Sequence, residues 1–332
     1  MRRAVAGDHA SLAAGRMCPA DYRYPPSVLN RSPEFAADVL YVVGGLYGNL
    51  AALDRIEQLA EQEGATVVFN GDFHWFDAEP AWFAEIEARI AHHRAMRGNV
   101  ETEAARTSDV GAGCGCAYPA SVAEDVVRRS NDILRELRKT AQALSGAAQR
   151  LAALPMHLVA DVGGLRVGIV HGDATALAGW SFAHDALDST AASVMLDGVR
   201  RAADIDVFAS THTCLAVLRD LQLDAGRLTI INNGAAGMPN FSGLPFGVIS
   251  RIATTPSPHR PLYGMVRDGV HIDAIPIDYH GEDFLGRFRA RWPQGSAAHM
   301  SYFERITAGP DYSLAQAALP RPNDVANRSH RA

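Results

Sequence analysis

The stretch that most constrains this chain is Thr66-Val67-Val68-Phe69-Asn70-Gly71-Asp72. β-Branched and aromatic residues run straight into Gly-Asp without polar alternation. That is the pattern of a strand covered on both faces, ending in a tight turn that presents one carboxylate. Ligands of open α/β sheets gather beyond the carboxyl ends of the strands, which makes Asp72 the first candidate for chemistry. The pattern recurs. Val42-Val43-Gly44-Gly45 leads to Gly48-Asn49, and Met96-Arg97-Gly98-Asn99 follows a helical run. Val167-Gly168-Ile169-Val170 enters His171-Gly172-Asp173, and Val207-Phe208-Ala209-Ser210 enters Thr211-His212-Thr213-Cys214. Several segments therefore end in Asn, Asp or His, side chains that bind hard or borderline metals.

Around this stretch the chain reads as α/β. A strand over 38–43, a helix capped by Asn49 and ended by Gly64, and the strand 66–70 make a βαβ unit. Leu50, Leu53, Ile56 and Leu59 form that helix's apolar stripe. Pro80 opens a second helix, expected to run to about residue 96. Beyond Asn99 comes a glycine-rich loop holding Cys114 and Cys116, then a helix opened by a Ser121/Glu124 capping box and a further helical run to about 154. The runs 157–162 and 165–170 form a hairpin about Gly163-Gly164. A helix over 190–202 follows, then strands over 205–210 and 228–231. The remainder reads as a pair of strands (261–266 and 270–277) joined at Asp268-Gly269, a helix over 283–291 and a fraying polar tail. Residues 1–37, interrupted by four prolines yet aromatic at Tyr22 and Tyr24, are expected to lie against the domain.

The 332 residues carry a formal net charge of −6, which leaves no basic footprint for nucleic acid. No apolar run is long enough for a membrane span, and the basic N-terminus lacks the apolar core of a signal peptide. Four cysteines (Cys18, Cys114, Cys116, Cys214) are too few for a disulfide scaffold of this size, so a cytoplasmic protein is expected. The sequence sets no oligomeric state.

Residues 38–280 together resemble the calcineurin-like metallophosphoesterases, in their compact bacterial branch. The resemblance rests on Gly48-Asn49-Leu50, Gly71-Asp72, Gly98-Asn99-Val100-Glu101, the hairpin from Leu154-Pro155 into Val170-His171-Gly172, and His212-Thr213. The loop Asn233-Gly234-Ala235-Ala236-Gly237-Met238-Pro239 completes the family's order. The resemblance implies a four-layer αββα sandwich, with 102–155 as a helical insertion and 281–332 as a C-terminal helix and tail. It also implies hydrolysis of a small phosphate mono- or diester by a metal-activated hydroxide. Carried over residue by residue, one metal position is complete: Asp72, Asn99, His171 and His212. A carboxylate, an amide oxygen and two imidazoles suit Mn, Zn or Fe(II). Asn49, Glu101 and Asp173 fall at supporting or substrate-side positions.

The departures matter as much. The family's Asp-x-His-Gly-Asn reads Gly45-Leu46-Tyr47-Gly48-Asn49, and its Gly-His-Thr-His reads Thr211-His212-Thr213-Cys214, with Ala209-Ser210-Thr211-His212 as the other register. A second metal would have only Tyr47 as a phenolate and Cys214 as a thiolate besides Asp72. His74 and Asp77, just past Asp72, are candidates to rebuild it. The histidine that serves the family as general acid is Val100, so His74 is the candidate acid beside Asp72. Two functions remain open: a metal-dependent phosphoesterase, or a metal- and phosphate-binding regulatory protein without catalysis. The helices of the insertion are expected over the mouth of the site.

Overall fold

The computed structural model describes residues 14–318 except 109 and 190, so the first part of the N-terminal extension and the end of the tail lie outside the described residues. Twelve strands are present among them. They are β1 (Phe35–Ala36), β2 (Val39–Val43), β3 (Thr66–Asn70), β4 (Arg94–Met96), β5 (His157–Val162) and β6 (Leu165–Val170). Then follow β7 (Val207–Ser210), β8 (Val217–Leu223), β9 (Gly226–Asn232), β10 (Gly247–Ala253), β11 (Tyr263–Arg267) and β12 (Val270–Ile277). They form two mixed six-stranded sheets, ordered β11-β12-β10-β2-β3-β4 and β1-β5-β6-β7-β9-β8. The chemistry-bearing strands run parallel in pairs: β2 with β3 in the first sheet, β6 with β7 in the second.

Period-two alternation builds four layers. Leu40, Val42 and Val68 of the first sheet meet Val167, Ala209 and Ile231 of the second in a dry core between the sheets. Tyr41, Val43, Val67 and Phe69 point the other way, into Leu53, Ile56, Phe83 and Ile86 of the helices Leu50–Glu63 and Pro80–Ile90. The far face of the second sheet is covered by the helix Ala192–Ala203. A four-layer αββα sandwich results, and both sheets are buried on both faces, as the unalternating runs require. Among the described residues no helix is long and apolar enough to cross a membrane.

Several expectations are corrected. The helix from Pro80 ends at Ile90, and Arg94–Met96 becomes an edge strand that pairs in parallel with Val68–Asn70. Strand β10 escapes a sequence reading because Arg251 sits in its middle. That arginine is fully buried, with Nε bonded to both carboxylate oxygens of Glu63 (3.1 and 3.2 Å) and Nη1 to Asp273 (3.2 Å). Strand β8, with Arg219 and Asp220 at its centre, escapes for the same reason. The helix expected to open at Ser121 begins at Glu124 without a side-chain cap, and the Glu124 carboxylate instead accepts from Arg16 Nε (2.7 Å). The tail does not fray where it is described. Helices Ala297–Ala308 and Leu314–Ala317 dock with Ala298 and Ala317 fully buried.

Candidate metal centre

Three strand ends and one helix start deliver the site. β3 turns through Gly71 into Asp72, which adopts a left-handed backbone (φ 54°). β6 ends one residue before His171 and β7 two residues before His212. Gly98 caps the helix Asn99–Ala105 and brings Asn99 inward at its first turn. The approach is close enough to require glycine. A Cβ on Gly98 would lie 2.3 Å from Asp72 Oδ1 and 2.7 Å from His171 Cε1.

The polar atoms that meet here are all acceptors. His171 Nδ1–H donates to the Asn70 carbonyl (2.9 Å), leaving its Nε2 as a bare lone pair. His212 Nε2–H donates to the Cys116 carbonyl (3.0 Å), leaving Nδ1 bare. Asn99 Nδ2 donates to the Cys114 carbonyl (3.0 Å) and to Cys116 Sγ (3.5 Å), which turns Oδ1 inward. His171 Nε2 then lies 3.0 Å from Asn99 Oδ1, 3.2 Å from His212 Nδ1 and 3.4 Å from Asp72 Oδ1. Four lone-pair donors at hydrogen-bond range with no hydrogen between them repel one another unless a cation sits among them. Among the described residues, Asp72, His171 and His212 form the one His/Cys/Asp/Glu group with the spacing to hold a metal. All four side chains are buried.

The electrostatics carry the same demand. Burial opposes a charged His171, yet the Asp72 carboxylate, the Asn70 carbonyl and Glu101 together raise the imidazole above its ordinary value. Burial, reinforced by charge on His171, pushes His212 down to about 4. Without metal, and below the ordinary imidazole value, the cluster therefore takes up one proton on His171 Nε2, between the four facing atoms. That is a single positive charge where a cation would be bound.

The neighbouring position is built differently. Tyr47 (φ 55°) and Cys214 (φ 59°) hydrogen-bond to each other, Oη to Sγ at 2.9 Å. Burial is the main cause that raises both groups, and Asp72 adds to it. The thiolate expected at Cys214 is therefore not favoured here: phenol and thiol satisfy each other as neutral groups.

The other expected residues separate into supports. Glu101 accepts the backbone N–H groups of Asp72 (2.8 Å), Gly98 (2.8 Å) and His74 (3.3 Å), clamping strand end to helix start. Burial and then Asp72 raise its pKa. Asn49 caps its helix through Ala52 N–H (3.1 Å) and donates to the Gly237 carbonyl (2.8 Å), tying the first loop to the glycine-rich one. Asp173 is consumed within its own loop by Thr175, Ala176 and Ser181. His74 is fully buried, stacked on Phe83 (3.7 Å) and bonded through Nδ1 to Asp77 (2.5 Å). That geometry holds the loop after Asp72, and the other ring nitrogen, Nε2, is buried without a hydrogen-bond partner. Val100, at the family's acid position, instead donates its backbone N–H to Asp72 Oδ1 (3.2 Å).

Residues 111–118 lie over the cluster. The Cys114 and Cys116 carbonyls orient Asn99 and His212, and Trp180 Nε1 also donates to Cys116 O (3.0 Å). The helix Glu124–Ala143, which follows this loop, packs on the helix that carries Asn99. The two carbonyls, with Cys116 Sγ accepting weakly from Asn99 Nδ2 (3.5 Å), are what this loop contributes. Sequence reasoning passed over Tyr302 and Arg305, which the helix Ala297–Ala308 brings to the Tyr47–Cys214 side.

No family model and no curated protein matches the chain. Solved structures do match it. A metallophosphoesterase from Sphaerobacter thermophilus aligns with a TM-score of 0.50 at 17% identity, over 82% of this chain and 100% of its own. A hypothetical protein from Pyrococcus horikoshii OT3 aligns with a TM-score of 0.53 at 16% identity, over 83% and 100% respectively. At such identities the likeness is one of fold.

Proposed function

With its fold that of the metallophosphoesterases, we propose that this chain hydrolyses a small phosphate mono- or diester, using one divalent transition-metal ion (Mn, Zn or Fe) held by Asp72, Asn99, His171 and His212. The observation that carries this reading is the convergence of four acceptor atoms without a donor hydrogen. A metal bound there would lower the pKa of a coordinated water and polarise a phosphoryl oxygen. The chain's own residues do the rest. Glu101 fixes the backbone that carries Asp72, and the Asn70 and Cys116 carbonyls fix both imidazoles in the tautomer that offers a lone pair inward. The 111–118 loop and Trp180 keep bulk water from the cluster. Val100 supplies no side-chain proton, and His74 is tied to Asp77 through Nδ1, so esters with good leaving groups are the expected substrates.

The test is hydrolysis of aryl phosphate mono- and diesters by protein stripped with chelator and reloaded with Mn, Zn or Fe(II). The proposal requires activity that disappears on stripping, returns on reloading and is absent from His171→Ala. Activity indifferent to chelator and to that substitution would contradict it. One feature favours the second reading, a metal- and phosphate-binding protein without catalysis: Tyr47 and Cys214 close the first-motif position as a neutral pair. Metal binding with no turnover of either ester class would select that reading.

A further inference from the structure

We propose that Arg305 is the phosphate-binding cation of this site, taking up with its guanidinium a phosphoryl oxygen beside the position where the first-motif ligands are lost. The inference rests on the functional reading above for its ligand and goes beyond it in naming how that ligand is held.

The first-motif position lacks a carboxylate and an imidazole and holds a neutral Tyr47–Cys214 pair, so it cannot supply the positive charge that a doubly charged phosphoryl group needs. Arg305 stands next to it. Its Nη2 donates to the Cys214 carbonyl, two residues from His212 in sequence, and Cys214 Sγ itself contacts the His212 carbonyl at 3.3 Å. Its charge reaches Tyr47, Cys214 and Tyr302.

Its remaining donors are unspent. Arg305 is half-buried, its Nε is buried without a hydrogen-bond partner, and no carboxylate among the described residues pairs with it. The fully buried guanidinium groups are neutralised, Arg251 by Glu63 and Asp273 and Arg267 by Asp206. Half-buried Arg97 also lacks a carboxylate partner but donates to the Ala152 carbonyl of the insertion, so the position beside Cys214 is what singles out Arg305. A partly desolvated guanidinium without a counter-ion is a vacant anion site, and its planar fork matches phosphate oxygens.

The helix that carries Arg305 is held firmly. Tyr302, one turn earlier on the same face, packs on Trp75 (6.3 Å) and Phe76 (5.1 Å) of the loop after Asp72, and Ser301 accepts from Arg129 Nε (2.7 Å) of the insertion helix. The cation is therefore positioned before ligand arrives, which limits the ordering cost of binding.

The experiment is calorimetric titration of inorganic phosphate into metal-loaded wild type, Arg305→Gln and Arg305→Lys, with metal content and unfolding midpoint measured on each. Loss of a charge-assisted contact predicts phosphate binding weakened roughly 10- to 100-fold in Arg305→Gln, with metal content unchanged and a smaller loss in Arg305→Lys. Wild-type affinity in Arg305→Gln overturns the proposal and leaves metal-dependent hydrolysis standing. Wild type that binds no phosphate overturns it as well. Phosphate binding that depends on Arg305 in a protein that turns over no ester supports it, while removing the catalytic reading. If Arg305→Gln lowers the unfolding midpoint, Arg305→Lys decides: intermediate affinity supports the assignment and wild-type affinity contradicts it.

Discussion

Two adjacent positions at the same strand ends have opposite chemistry. At one, Asp72, Asn99, His171 and His212 turn four lone pairs on a common point, each fixed by a hydrogen bond behind it. At the other, Tyr47 and Cys214 face each other and are satisfied. Both lie on left-handed backbone, at Asp72 and at Tyr47 and Cys214, where non-glycine residues cost about 1–3 kcal/mol each. Left-handed loop geometry is thus common to both sides, while inward-facing acceptor atoms gather on one. What distinguishes a ligand cluster from a packed polar pair is whether the inward atoms still need a cation.

The largest effect expected from breaking this contrast is at the acceptor cluster. Asp72→Asn and His171→Ala should each lower metal affinity by more than the 10- to 100-fold that loss of an outer partner costs. Elemental analysis of dialysed protein checks this, with circular dichroism confirming an intact fold. Retained stoichiometric metal in both variants would mean that the lone-pair assignment is wrong.

Gly98→Ala comes next. Its Cβ would overlap Asp72 Oδ1, so destabilisation of about 1–3 kcal/mol by overpacking is expected, together with weaker metal binding. Chemical denaturation of loaded and stripped protein measures both. An alanine variant as stable as wild type in both states would show that the helix start does not press on the carboxylate as described.

A proton count sharpens the comparison. In metal-free protein His212 titrates at about 4 against 6.5 for a free imidazole, so the stability it contributes is present above 6.5 and lost as pH falls towards 4. His171 has the opposite sign. Its raised value gives stability that is full below 6.5 and lost as pH rises through the folded value. Between pH 4 and 6.5, then, only His171 holds a proton for the metal to displace, and affinity should fall about tenfold per pH unit. A hundredfold fall per unit would mean that both imidazoles are protonated.

The smallest effect belongs to the satisfied pair. Tyr47→Phe removes one buried hydrogen bond, a loss of about 0.5–1.5 kcal/mol in unfolding free energy, and should leave metal content untouched.

Much of this was legible in the sequence, for reasons that also mark the limits. Strands that are apolar on both faces and end in Gly-Asp or His-Gly announce themselves by composition, so β3, β6 and β7 and the residues they deliver are readable. Strand β10 is not, because the buried charge of Arg251 is neutralised by Glu63 and Asp273 from elsewhere in the chain. The helices of the insertion were expected over the mouth of the site, but the contacts to the cluster come from the loop before them, through the backbone carbonyls of Cys114 and Cys116, and every residue has a carbonyl. Arg305 was read as part of a tail because its role depends on the docking of a helix whose partners are remote in sequence.

The central claim is one metal centre beside one satisfied pair. Metal stoichiometry by elemental analysis and native mass spectrometry, on protein purified without chelator, tests it most directly. The account predicts one equivalent per chain in wild type, one in Cys214→Ser and none in His171→Ala. Two equivalents in both wild type and Cys214→Ser would contradict it.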